Sequence, residues 1–201
     1  MAVAGRRSAV DGRVLRGRRN RQAVVASFLT LIEEGDLRPT ARAIADRAGV
    51  SLRSVFQHFE DLEQIYAAAG QLENEKLDPM LQPVDRRLSL DARLETFVAR
   101  RRELLETLDP VARAARLREP FSAQLQANRD RLIQLSRQQC EATFARELSR
   151  LKEAARRQLL DAMAVSTSWS SWYFLTEEMG LGPDAATDAI RTNLRSLLKS
   201  S

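Results

Sequence analysis

The residues whose types and spacing could do chemistry lie between Thr40 and Phe59, where the chain reads TARAIADRAGVSLRSVFQHF. The chemistry they suit is recognition of a polyanion. Two short helical patterns flank Gly49, the arrangement of a helix-turn-helix. Gly49 supplies a left-handed turn, and Ala45 is small where the two helices would cross. Ile44, Ala48, Val50 and Val55 are apolar where the pair must bury its inner face. The second helix of such a pair fits a B-DNA major groove roughly 12 Å wide and turns its first residues towards base edges. Those residues are Leu52, Arg53 and Ser54, with Gln57 one turn on. Arg53 can donate bidentately to guanine, Ser54 can bond either way, and Leu52 can touch a thymine methyl. Thr40, Ser51 and His58 are candidates for phosphate contacts, together with the helix N-termini. Arg42 could reach a base or a phosphate. An incidental helical hairpin in a core is the competing reading, and it leaves the surrounding basic charge unexplained.

That charge is unevenly placed. Residues 1–59 hold eleven arginines against five acids, whereas the rest of the chain carries 21 basic residues against 22 acidic ones. The whole positive excess therefore lies in the first third, which points to a polyanion-binding module joined to a neutral body. Arg16, Arg18, Arg19 and Arg21 are expected to add backbone or minor-groove contacts.

Other chemistry finds little support. The single histidine, His58, falls inside the motif, and no nucleophile arrangement accompanies it. There is no glycine-rich phosphate loop, no H-E-x-x-H and no metal-spaced cysteine pair. The expectation is a protein that is not an enzyme and that uses no cofactor and no metal. Cys140, the one cysteine, reads as a buried small hydrophobe; a thiol sensor would have no second cysteine to resolve it. No apolar run approaches the ~18–20 residues of a membrane span. The basic N-terminus has no apolar segment of a secretory signal. A soluble, cytoplasmic protein with no membrane partner is expected.

The elements that must position these residues read as all α, about nine helices. Ala, Leu, Arg, Glu and Gln dominate, and no glycine falls between Gly70 and Gly180. Residues 1–19 are expected to form a flexible basic arm. Helices are predicted over about 20–34, 41–48, 52–58 and 61–77. The second and third have Thr40 and Ser51 as N-caps, and Asp61 with Gln64 resembles a capping box for the fourth. Beyond Pro83 the predicted helices run from Ser89 to about Leu108, from Asp109-Pro110 to about Arg118, and from Pro120 to about Leu148 or Leu151. Two more cover about 152–179 and 183–198.

The basic arm, the first helix, Thr40-x-Arg42-x-Ile-Ala-x-x-Ala-Gly-Val-Ser, then Val55-Phe56-x-His58-Phe59 and Leu62-x-x-Ile65, resemble the N-terminal domain of TetR-family transcriptional regulators. The specific resemblance covers about residues 20–66; beyond that only the helix pattern matches. It implies a helix-turn-helix DNA-binding domain at 20–66 and a larger helical effector-binding and dimerisation domain at 67–201. It further implies a homodimer on a palindromic operator, usually a repressor relieved by a small ligand. The chain departs from the family at two places. Phe56 stands where a tyrosine often holds a phosphate, so the ring remains without that bond. Leu62 stands where a lysine commonly opens the fourth helix, and Glu60, Asp61 and Glu63 flank it. Backbone affinity is therefore expected to lean on the arm arginines.

In the body, Trp169, Trp172 and Tyr173 recur at i, i+3 and i+4, so they share a helix face. They suit core or interface packing, or the wall of a ligand pocket. Phe97, Phe121, Leu125, Cys140 and Phe144 are candidates for the same pocket, with plain core as the alternative; an apolar or aromatic effector is the guess that follows. Ile190, Leu194, Leu197 and Leu198 give the last helix an apolar face suited to a dimer built from the last two helices of each subunit. The runs Arg100-Arg101-Arg102 and Arg156-Arg157 are expected on solvated faces. A DNA-binding protein of architectural or partner-controlled type, without a ligand, is the alternative to the ligand-responsive regulator.

Overall fold

The computed structural model describes residues 3–199, with side chains from Val14 onward. Every regular element among them is helical: α1 (Val3–Glu33), α2 (Ala41–Ala48), α3 (Leu52–His58), α4 (Leu62–Leu77), α5 (Leu90–Arg118), α6 (Ala123–Thr143), α7 (Ala145–Leu148), α8 (Glu153–Ser166), α9 (Trp169–Tyr173) and α10 (Pro183–Lys199). Short 3-10 turns occupy Asp78–Leu81 and Glu119–Phe121, and a π turn over Phe174–Glu178 prolongs α9. The chain is all α as expected, with ten α-helices among the described residues rather than nine.

Four boundaries differ from the sequence expectation. The first helix begins at Val3 and not near Asn20, so it takes in the segment read as an arm. Pro110 lies inside α5 instead of opening a new helix. Asp109 is not a cap there; its carboxylate accepts the Trp169 indole N–H at 2.8 Å. Only one ladder bond is lost to a proline. The long helix expected over 152–179 is split. Thr167 turns its hydroxyl back to the Met163 carbonyl at 2.8 Å, and Ser168 caps α9 by accepting from the Ser171 N–H at 3.1 Å. A Ser-Thr-Ser run offers the backbone such alternatives to continued helix. The helix expected from Pro120 starts instead at Ala123, where the Ser122 hydroxyl accepts from the Leu125 N–H. It stops at Thr143, and Phe144 precedes the separate turn α7.

The chain divides into two compact units. One holds the described residues up to Leu72 together with Arg113–Leu125; the other holds Glu73–Ala112 and the chain from Gln126 on. The division falls within α4, α5 and α6. The stretch 113–125, read from sequence as part of the C-terminal body, thus packs with the N-terminal unit.

In the first unit, α1 contributes Val24, Val25, Phe28, Leu29 and Ile32 to a buried face, completed by Ile44, Ala45, Val55, Phe59, Ile65, Tyr66 and Ala69. Phe28 and Tyr66 meet edge to face at 4.6 Å, a geometry favoured by the ring quadrupoles. Arg118 lies over the Tyr66 ring at 4.8 Å, tying the end of α5 to α4. Burial pushes the Tyr66 phenol above its ordinary pKa, against the opposing effect of Arg118. The Ser122 hydroxyl donates to the Glu63 carboxylate and adds a second tie.

In the second unit the core gathers Leu94, Phe97, Leu104 and Leu105 of α5 with Cys140, Phe144 and Leu148. Met163, Trp172, Ile190, Leu194 and Leu198 complete it. Arg93 is buried beside this core with each of its three guanidinium nitrogens hydrogen-bonded. Its guanidinium forks onto Glu147 at 2.6 and 2.9 Å and also donates to the Thr143 and Leu88 carbonyls. Burial would raise the Glu147 carboxyl, but the Arg93 bond and charge outweigh it and hold the group below its ordinary value. No described helix is long and apolar enough to cross a membrane.

Candidate nucleic-acid interface

The turn between α2 and α3 is built from local signals. Thr40 is extended and its hydroxyl accepts from the Ala43 N–H at 3.1 Å, which satisfies one of the free donors at the start of α2. Gly49 closes that helix in the left-handed region, at φ 65°, with its N–H on the Ala45 and Asp46 carbonyls. A side chain would meet nothing within 4 Å there, so backbone conformation alone selects glycine. Ser51 then caps α3 by accepting from the Ser54 N–H at 3.1 Å. In both caps the oxygen acts as acceptor, which leaves each hydroxyl hydrogen available to an acceptor such as a phosphate.

Packing sets which face of α3 is presented. Val55 is wholly buried and Phe59 nearly so, which anchors one side of the helix. Leu52, Arg53, Phe56 and Gln57 are exposed on the other, Leu52 at 37% and Phe56 at 51%. Large apolar side chains left in water at this site need a partner surface more than scattered ones do. Ser54 is half-buried, and its hydroxyl accepts from the Asn20 side-chain amide at 3.5 Å. His58 is also half-buried, at the end of α3; a side chain at Gly17 would stand 3.5 Å from its ring.

The cations fall around this face. Arg42 and Arg53 are exposed and make no ion pair among the described residues, as are Arg18 and Arg19 on α1. Arg21 lies over the Phe59 ring at 4.9 Å, which holds its charge beside the end of α3. Arg47 is engaged by Glu34. At the start of α4, Asp61 accepts from the Gln64 N–H at 2.9 Å, and the Gln64 side chain accepts from the Glu60 N–H at 3.2 Å. The Asp61 carboxylate therefore serves the helix terminus, where negative charge is favourable, while Glu60 takes part through its backbone N–H.

The twelve residues read from sequence as DNA contacts all lie in the first unit, on α1, α2, α3 or their caps. Sequence reasoning missed Asn20, which steadies Ser54 from 34 positions away and carries no local signal of doing so. The eight pocket candidates are not brought together. Phe97, Cys140, Phe144 and Trp172 sit in the core of the second unit, and Trp169 packs against it. Tyr173 is half-buried beside Trp169, ring centres 5.2 Å apart. Leu125 is buried but belongs to the first unit. Phe121, in the 3-10 turn Glu119–Phe121, is 90% exposed and lines no enclosed cavity in the protomer. The arginine runs also divide. Arg100 donates to the Gln82 carbonyl, Arg102 pairs with Glu106 and Asp184, Arg156 with Glu141 and Arg157 with Glu153. Arg101, expected in solvent, is only 2% exposed.

Two solved structures share this architecture. A transcriptional regulator from Rhodococcus sp. Rha1 superposes with a TM-score of 0.68 at 19% identity, over 92% of this chain and 96% of that one. A TetR-family transcriptional regulator from Streptomyces coelicolor superposes with a TM-score of 0.69 at 16% identity, over 90% of this chain and 87% of that one. No family model matches the sequence, and no curated protein does. The fold is that of TetR-family regulators.

Proposed function

We propose that the chain is a homodimeric transcriptional repressor of the TetR family, which binds a palindromic operator in double-stranded DNA and is released by a small-molecule effector. The observation that carries this reading is the presentation of α3. Val55 and Phe59 lock it to α1 and α2, while Leu52, Arg53, Phe56 and Gln57 face outward near Arg18, Arg19 and Arg42, which make no ion pair among the described residues. A short helix held this way is suited to the major groove. Arg53 reads a guanine, Ser54 and Gln57 add hydrogen bonds, and Leu52 meets a thymine methyl. The Thr40 and Ser51 hydroxyls, His58, Arg42, Arg18, Arg19 and Arg21 take phosphates, and the Phe56 ring packs on the backbone.

Residues 20–66 act as the reading head, residues 1–19 as a basic arm and 67–201 as the sensing and dimerising body. Val165, Phe174 and Met179 are 66, 50 and 54% exposed around α8, α9 and the π turn, a face that supports pairing through the last helices. A palindrome bound by two heads requires them about one helical turn apart, roughly 34–36 Å. An effector that binds one arrangement of the heads better than the other shifts that spacing through α4 and lowers operator affinity.

Selection from a random duplex pool, followed by sedimentation of the winning duplex with protein, tests the reading. A palindromic consensus carrying two protomers is expected. Binding without a consensus would replace the repressor with an architectural DNA-binding protein.

A further inference from the structure

Among the described residues Arg101 has no counter-charge. It sits two turns after Arg93 on α5, and the stripe Arg93–Phe97–Arg101 faces the core of the second unit. Arg93 forks onto Glu147. Arg101 instead donates to two neutral groups, the Ser136 hydroxyl at 3.0 Å and the Gln139 side-chain carbonyl, and lies 5.1 Å from the centre of the Phe97 ring. Its Nε–H is buried and has no acceptor. A guanidinium carries five N–H donors and cannot shed its proton in ordinary conditions. Cys140 is the ionisable neighbour, and burial pushes its thiol up, so it remains neutral and offers no charge. An isolated cation in such a place is costly unless an anion joins it.

We propose that Arg101 is the anchor of an anion site in the body, and that its ligand is a monocarboxylate carried on an apolar group. The charge argues for one negative unit, since among the described residues Arg101 is the one uncompensated cation at the site. The planar fork matches a carboxylate, which accepts two parallel N–H bonds. Beside the fork lie Phe97 and Cys140, with Phe144 edge to face on Phe97 at 5.4 Å, all fully buried, and these suit an apolar body. The proposal rests on the effector-responsive reading and names the effector's class.

The site also has an exit for its signal. Gln139 accepts from Arg101 through its carbonyl, while its amide donates to the Met80 and Gln82 carbonyls at 2.8 and 3.0 Å. Those carbonyls lie in the turn that directly follows α4. A carboxylate on Arg101 competes with the Gln139 carbonyl, and the same side chain then loosens or re-forms its hold on that turn.

The test is thermal denaturation and calorimetric titration of the full chain with millimolar benzoate and octanoate, with benzamide and octanamide as neutral matches, at constant ionic strength. The carboxylates are expected to stabilise the protein by mass action, and the amides to do so far less. Arg101→Met should abolish the carboxylate response. Arg101→Lys, which keeps the charge without the fork, should weaken it at least about tenfold. If Arg101→Met does not fold, Arg101→Lys decides alone. Wild type unmoved by either carboxylate, or a response equal in the variants, overturns the proposal. DNA release is measured separately. Carboxylate bound through Arg101 without loss of operator affinity would retain the site and refute the effector reading. Release by a neutral compound, with no carboxylate bound, would retain the effector reading and refute the site.

Discussion

Arg53→Ala separates base reading from mere attraction. Arg53 is exposed in the first turn of α3 and pairs with no acid among the described residues, so its removal leaves no buried partner behind. Alanine is also the better helix former. Stability should therefore stay within about 0.5 kcal/mol of wild type in urea denaturation. Binding should not. A bidentate arginine–guanine pair discriminates by about 1–3 kcal/mol, or roughly 5- to 150-fold in affinity. That loss should appear on the selected duplex and vanish when the paired base is changed. Affinity for random duplex should fall much less, because non-specific binding is carried by phosphate contacts. Fluorescence anisotropy on selected, base-substituted and random duplexes at two salt concentrations reads all of this. Equal losses on selected and random DNA, with the salt slope reduced by about one, would show that Arg53 touches only phosphate. The assignment of α3's first turn to base edges would then be wrong.

Three further perturbations follow from the same structure. Replacing Arg18 and Arg19 by alanine should lower the salt slope of binding by up to about 1.8 without altering the preferred sequence; an unchanged slope refutes their phosphate role. Gly49→Ala should cost about 1–2 kcal/mol, because Gly49 sits at φ 65° with open space around it; no loss in urea denaturation would contradict the left-handed turn. Glu147→Gln should cost about 3 kcal/mol near neutrality by stranding the buried Arg93 charge. Since the Glu147 pKa is depressed in the fold, its contribution is present above the ordinary value of 4.5 and is lost as pH falls through the lower folded value. Wild type should thus lose its advantage over Glu147→Gln in acid, and a gap independent of pH would refute the ion pair.

What was legible in the sequence was what local chemistry decides. Thr40, Gly49, Ser51 and the Asp61–Gln64 pair act within three or four residues of themselves, and the structure has each of them making the contact its type suits. Val24 to Ile32 could be assigned to one buried face because their period is the helix's own. The misread elements depend on partners distant in the chain. Asp109-Pro110 has the form of a helix start, but the Asp109 carboxylate is taken by Trp169, sixty positions on. The Arg100–Arg102 run looks uniform, yet only Arg101 turns inward, onto Ser136 and Gln139 of α6. Phe121 looked like pocket lining by composition, yet it ends the 3-10 turn Glu119–Phe121 and is exposed.

The most direct test of the central claim is the affinity of the wild-type chain for the selected palindrome relative to a shuffled duplex of the same length and composition, measured at one physiological salt concentration. A sequence-reading repressor should prefer the palindrome by at least about a thousandfold. A ratio near one would mean that the exposed face of α3 reads no bases, and the function assigned here would fall.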